Sequence, residues 1–332
     1  MSNPVLVEVT RGAHVESRHR GSVAVVDADG AAVFALGDVA RRVFPRSAVK
    51  SMQALPLVEG GHADKWGLTD AEVALCCASH GGEPAHVATA QAMLAKAGRD
   101  AGALECGAHW PSNEAASRAL AKAADGPSAL HNNCSGKHSG FVCLACGMGT
   151  DPAGYVRAGH PAMREVTAAL SAVTGERLDE AEAGVDGCSI PSFPIPLVSL
   201  ARGFARMGTG AGLSPGRAAA AARIRAAVAA NPFNVAGTGR FDTRVMKAFG
   251  ARVFCKTGAE AVHCAAIPEQ GIGIAVKIDD GTGRASQALM AALLARFLGP
   301  HPLLDELAHP VLRNWNGIEV GAIRPVAEVT RH

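Results

Sequence analysis

The chain has 332 residues, a formal net charge of +2, 48% hydrophobic and 19% charged residues, the balance of a soluble globular protein with a large core. Charge near zero and only 4% aromatic residues exclude the basic, ring-rich surfaces that bind nucleic acid and leave nothing to hold an anionic membrane. No apolar run approaches the ~18 residues of a membrane span, and nine irregularly spaced cysteines read as reduced thiols of a cytoplasmic chain.

Residues 1–16 hold no apolar signal core and already alternate like a strand. Strands are predicted over 6–10, 22–27 and 31–36, with Asp27-Ala28-Asp29-Gly30 as the turn between the last two. A helix opening at Ser47 carries the apolar stripe Ala48, Val49, Met52 and Leu55 and ends near Gly60. Thr69-Asp70-Ala71-Glu72 has the form of a capping box, and its helix runs into a small-residue turn over 77–82. Another helix is predicted over 84–97, stopped by Gly98. Residues 131–140 read as a polar loop leading into an apolar helix over 141–146, where Cys143 and Cys146 read as core rather than redox thiols. Helices follow over 160–173, 197–206, 214–230 and from Phe241 to Gly250. A strand over 252–256, a meander of 261–267 with 271–278, a helix over 286–298 and one last strand from Trp315 complete the chain. The expected class is α+β: an antiparallel sheet completed by the N- and C-terminal strands, with flanking helices. One catalytic domain is expected over 1–332, with a helical subdomain around 60–240.

Ser47 and Lys50 lie three apart, so on a helix a hydroxyl would sit beside an amine that can serve as its base when neutral. The first-turn N–H groups would face a developing oxyanion. Alone, S-x-x-K also describes a solvated helix face. Lys256-Thr257-Gly258 on a late strand supplies a second element, and the order resembles that of serine β-lactamases and penicillin-binding proteins. Those proteins carry S-x-N between the two. Here the nearest match, Ser79-His80-Gly81, lacks the asparagine, which speaks against a penicillin-directed enzyme.

Five stretches carry a closer likeness: Arg46-Ser47-Ala48-Val49-Lys50, Cys77-Ala78-Ser79-His80, Asn133-Cys134-Ser135-Gly136-Lys137-His138, Asp186-Gly187-Cys188 and Val276-Lys277-Ile278-Asp279-Asp280-Gly281. In order and spacing, from about residue 5 to 315, they resemble the L-asparaginase II family, the thermolabile, serine-β-lactamase-like class of L-asparaginases. That resemblance implies a serine-β-lactamase-like fold and hydrolysis of L-asparagine to L-aspartate and ammonia through an acyl-enzyme. It implies two Ser–Lys tandems, Ser47 with Lys50 and Ser79 with Lys256. Cys134, Lys137 and Cys188 would hold a zinc ion, Arg46 and Asp186 would face the substrate with His138 beside them, and the chain would form a homodimer. Thr257 and Gly258 after Lys256 are closer to the lactamase wording, and Cys255 before it is unusual.

Read from the residues alone, Cys134 and Cys188 have no C-x-x-C or histidine partner and equally describe two core thiols. Asn132, Asn133, Ser135 and Asp186 beside them do not suit an apolar core. Cys76, Cys77, Cys106, Cys255 and Cys264 read as core thiols, and only His80 and His138 are kept near the site. A free lysine titrates near ~10.4 while a working base needs ~7–8, so convergence of Arg46, Lys50, Lys137, Lys256 and zinc would have to disfavour an ammonium. Two other readings stay open: a serine hydrolase of the β-lactamase, peptidase or esterase kind, and a zinc-dependent binding protein without catalysis.

Overall fold

The computed structural model describes residues 2–123 and 126–330. Its centre is an antiparallel sheet of β1 (Val5–Arg11), β2 (His14–Asp27), β3 (Ala32–Leu36), β4 (Phe254–Thr257), β5 (Val262–Ile267), β6 (Ile272–Ile278), β7 (Val311–Arg313) and β8 (Glu319–Pro325). Among the described residues the order is β7-β8-β1-β2-β6-β5-β4, with β3 also paired to β2. The two ends of the chain meet where Val7, Glu8 and Val9 pair with Pro325, Arg324 and Ile323. An α+β fold with a sheet completed by both termini is therefore what the alternating end segments produce.

The helices Leu197–Thr209 and Gly283–Leu298 both pack on the sheet, which is why β5 is buried along its whole length and reads as an unbroken apolar run. Gly273 in β6 lets the first of these helices lie flat, since a side chain there would collide with the Ala201 carbonyl. The turn at Asp27 forms as expected: Asp27 Oδ1 accepts from the N–H groups of Asp29, Gly30 and Ala31 at 3.0, 2.9 and 2.8 Å. The capping box at Thr69 and Glu72 is also formed.

Three expectations change. Residues 46–59 are not one helix but a 3-10 turn, Arg46–Val49, followed by Lys50–Gln53 and Leu55–Glu59. Pro56 has no N–H to continue the ladder, and the break falls just ahead of it. The last strand forms but starts at Glu319 rather than at Trp315, and it pairs with a short strand, β7, that sequence reading passed over: Asn314 Oδ1 accepts from the N–H groups of Asn316 and Ile318, which leaves Trp315 fully exposed in the turn between β7 and β8. The polar stretch 131–140 is mostly helix, because Ser135–Gly147 begins six residues before the apolar run. Sequence reading also passed over the helices Glu114–Lys122 and Pro302–Ala308. Among the described residues no helix is long and apolar enough to cross a membrane.

Candidate active site

The turn bearing Ser47 is held against the end of β4 by a glycine. Gly258 N–H donates to Val262 O at 2.7 Å, and a Cβ on Gly258 would stand 2.8 Å from Pro45 O and 3.1 Å from Ala48 N. Only glycine lets the strand approach the backbone on both sides of Ser47 this closely. Between the two lies a cavity of about 240 Å³ whose wall includes Ser47, Ser79, Asn133, Arg240, Asp242 and Lys256. That is smaller than the ~300–1,000 Å³ of sites for drug-sized ligands and suits a small metabolite.

Behind Ser79 lies the amine of Lys50, which is buried and spends its three N–H groups on Ala78 O at 2.5 Å, Ser79 Oγ at 2.9 Å and Cys134 Sγ at 3.1 Å. The Ser–Lys hydrogen bond in the structure thus joins Lys50 to Ser79. Among the described residues none joins Lys50 to Ser47, nor Lys256 to Ser79. The 3-10 turn by itself keeps Ser47 and Lys50 on one side, since residues three apart eclipse there, so it is the acceptors Ala78 O, Ser79 Oγ and Cys134 Sγ that take the Lys50 amine away from Ser47.

Cys134 reaches this point because the helix Ser135–Gly147 closes on the helix Asp70–Cys76. Gly136 sits against Leu75, and a Cβ on Gly140 would lie 2.9 Å from Cys76 Sγ. Lys137, from the first turn, donates to Cys188 Sγ at 3.1 Å, which brings the Cys188 thiol to bear on Cys134 as a hydrogen-bond donor. That bond from Cys188 holds the Cys134 thiol well below its usual range against the effect of burial, helped by the Lys50 and Lys137 amines. Cys188 keeps the shared proton and is pushed up. Burial works against the Lys137 ammonium, but the sulfurs of Cys134 and Cys188 more than offset it, so Lys137 titrates above an ordinary lysine. The three donors expected to hold zinc therefore converge and are buried. Two sulfurs and an amine of this kind suit a thiophilic, borderline-soft cation.

Lys256 on β4 has a different setting. It is 1% exposed, donates to Thr257 O at 2.6 Å, and has Asp242 Oδ2 3.8 Å away. Burial pulls it down to about 8, with Lys50 and Arg240 adding to the effect and Asp242 opposing it. Asp242, near the start of the helix Phe241–Phe249, accepts from Thr257 N–H at 2.9 Å and Thr257 Oγ1 at 2.7 Å and lies 3.2 Å from His263 Nε2. Burial alone would raise this carboxyl, but the bond from His263, the Lys256 amine and the Thr257 N–H hold it far below the usual carboxylate range. Asp242, Cys255 and His263 bring possible ligand atoms within 4.8 Å of one another. Since the Asp242 oxygens are already filled, the cluster reads as a hydrogen-bonded support for Lys256.

Arg46 and Asp186 are joined at 2.9 Å, but they line a separate depression of about 510 Å³ with Phe44 and Val185, not the cavity beside Ser47. Arg46 has a φ of +50°, strained for a residue with a side chain, and its ion pair secures the backbone immediately ahead of Ser47. His138 lies behind the site. It is fully buried against Tyr155, whose hydroxyl is 2.7 Å from Nδ1, and does not reach the cavity wall; burial and the Lys137 and Lys50 amines keep it neutral. His80 is also structural. Gly82 N–H donates to its Nδ1, so Nε2 carries the proton given to Ser135 Oγ at 2.9 Å. Sequence reasoning missed Asp242, Arg240 and His263. No motif marks them, and only the chain order Arg240-Phe241-Asp242 ahead of the Lys256 strand hinted at a shared wall.

A family model described as L-asparaginase II matches residues 7–325. A comparison with curated proteins finds no match. Among solved structures, the chain is similar to a beta-lactamase from Mycobacterium bovis at 14% identity and a TM-score of 0.40, covering 83% of this chain and 94% of that one. It is also similar to a protein described as a candidate beta-lactamase from Bacteroides dorei, again at 14% identity and 0.40, covering 79% and 87%.

Proposed function

The chain belongs to the L-asparaginase II family, an L-asparaginase-type hydrolase, and on that premise we propose that it cleaves the side-chain amide of L-asparagine through a serine acyl-enzyme. The observation that carries the mechanism is a small cavity whose wall brings Ser47 and Ser79 together with a buried lysine that titrates at about 8. Ser47 Oγ attacks the carboxamide carbon and gives its proton to neutral Lys256. The tetrahedral adduct collapses, Lys256 returns that proton to the leaving nitrogen, and ammonia departs. Water then attacks the acyl carbon, Lys256 takes its proton and passes it to Ser47, and L-aspartate leaves. Lys50, with all three donors engaged, acts as a fixed cation that aligns Ser79 and favours the developing oxyanion. The roles of the two lysines are thus exchanged relative to S-x-x-K alone, in line with the different partners of the two amines.

Zinc would be held by Cys134, Lys137 and Cys188 and would supply a fixed positive charge behind Ser79. The ligand side chains meanwhile tie the helix Ser135–Gly147 to the segment around Asp186, and so help shape the cavity wall at Asn133. Ammonia release measured across L-asparagine, L-glutamine and simple amides, beside nitrocefin and a p-nitrophenyl ester, tests the assignment. Cleavage of nitrocefin or the ester without ammonia from L-asparagine would move the protein to another class of serine hydrolase. Metal binding with no turnover of any of them would make it a binding protein.

A further inference from the structure

Taking the proposed amino-acid substrate as its starting point, we infer that Arg240 is the residue that receives the substrate's α-carboxylate. An amide held at Ser47 puts a carboxylate two carbons away, and in a small cavity that anion must meet a cation on the same wall. The four other basic groups of the site are already committed. Arg46 is bound to Asp186 in the neighbouring depression, Lys50 to its three acceptors, Lys137 to Cys188, and Lys256 to Thr257 O beside Asp242. Arg240 lines the cavity, is exposed, and among the described residues its side chain makes neither an ion pair nor a hydrogen bond. The one carboxylate on that wall, Asp242, is 2% exposed and filled by Thr257 and His263, so it does not compete for the guanidinium.

The backbone that presents Arg240 is anchored even though its side chain is free. Thr238 N–H and Oγ1 donate to Glu83 Oε1 and Oε2 at 2.8 and 2.6 Å, and Gly237 just before it has a φ of +110°. Arg240 is then the N-cap of the helix Phe241–Phe249, whose first turn bears Asp242. A fixed root with a free planar fork is the arrangement that binds a carboxylate through two parallel hydrogen bonds.

The test compares Arg240→Met and Arg240→Lys with the parent on L-asparagine and on 3-aminopropanamide, which is asparagine without its carboxylate. Arg240→Met should raise KM for L-asparagine about 10- to 150-fold, the range of a charge-assisted hydrogen bond, with a far smaller change in kcat. Arg240→Lys should recover part of this, and at alkaline pH, where Lys256 is neutral in all three proteins, Arg240→Met should lower kcat/KM for 3-aminopropanamide far less than for L-asparagine, whereas equal losses on the two substrates would overturn the inference. Calorimetric binding of L-asparagine to Ser47→Ala, with and without Arg240→Met, gives the same comparison without turnover. Equal affinity of those two proteins, or no binding by either, overturns the inference for Arg240. A parent that releases no ammonia from L-asparagine overturns the reading of the reaction, while the binding comparison still decides Arg240.

Discussion

Asp242→Asn removes the main charge that holds Lys256 up, and its effect can be worked from the structure. The carboxylate oxygen lies 3.8 Å from Lys256 Nζ, both groups are buried, and Lys256 titrates at about 8 with burial pulling it down and Asp242 opposing. Opposite charges about 4 Å apart at an effective dielectric near 20 attract by about 4 kcal/mol, which corresponds to an upper limit of about three pH units. His263 and the rearranged hydrogen bonds take up part of this, so a fall of one to two units, in order of magnitude, is the expectation. The sign follows directly. A lower lysine pKa makes the neutral base available at lower pH, so the rising limb of kcat/KM for L-asparagine moves from near pH 8 toward acid. The plateau drops as well, because a weaker base accepts the Ser47 proton less readily. At about pH 7 only roughly a tenth of the parent's Lys256 is neutral, so the variant loses least there relative to its own plateau. Asparagine keeps one acceptor for Thr257, and the melting temperature should register a cost of about 1–3 kcal/mol for the other. Ammonia-release profiles from acid to alkali on both proteins check this. A limb that stays at the parental pH would show that Lys256 is not the base, whatever its burial.

Ser47→Ala should lose nearly all turnover at a stability cost of about 0.5 kcal/mol or less, since among the described residues its hydroxyl makes no hydrogen bond; parental rates from the purified, folded variant would remove it as nucleophile. Gly258→Ala should push the Ser47 turn off β4 and lower kcat about 100-fold, with a melting shift equivalent to about 1–3 kcal/mol; near-parental kcat would mean that the close approach to Pro45 and Ala48 does not set the geometry. Zinc affinity measured by calorimetry should fall markedly from alkaline to mildly acidic pH, because the Cys188 thiol and the Lys137 ammonium, both held above their usual ranges, must give up protons to bind it. Lys137→Met should flatten that dependence, and an unchanged slope would take lysine out of the ligand set.

What could be read ahead of the structure was whatever a local rule dictates. Alternation at both ends gave the closing strands, Asp27 and Gly30 gave their turn, and Thr69 with Glu72 gave a helix start, each settled by atoms a few positions apart. The segment 46–59 failed because the stripe Ala48, Val49, Met52 and Leu55 fits one continuous helix as well as it fits three short pieces. Which serine Lys50 touches is decided instead by acceptors brought from distant segments, Ala78 O, Ser79 Oγ and Cys134 Sγ, which no local rule contains.

Polarity misled in the opposite direction. Asn132, Ser135, Lys137, His138 and Ser139 read as a solvated loop because isolated polar groups are costly to bury. In the fold they are all buried, and each has a partner: Asn132 donates to the carbonyls of Cys106 and Gly107, Lys137 to Cys188, Ser139 to Ala90 O, while Ser135 meets His80 and His138 meets Tyr155. Those partners come from segments far away in the chain, and no window on the sequence contains them. Asp242 and Arg240 make the same point on the opposite wall of the cavity. As letters, an acid and a base two apart at a helix start suggest nothing more than a favourable first turn. Burial and the donors of Thr257 and His263 turn the acid inward to set the basicity of Lys256, and the lack of any such partner leaves the base free for a ligand. The two residues differ in role only through what the rest of the chain brings to them.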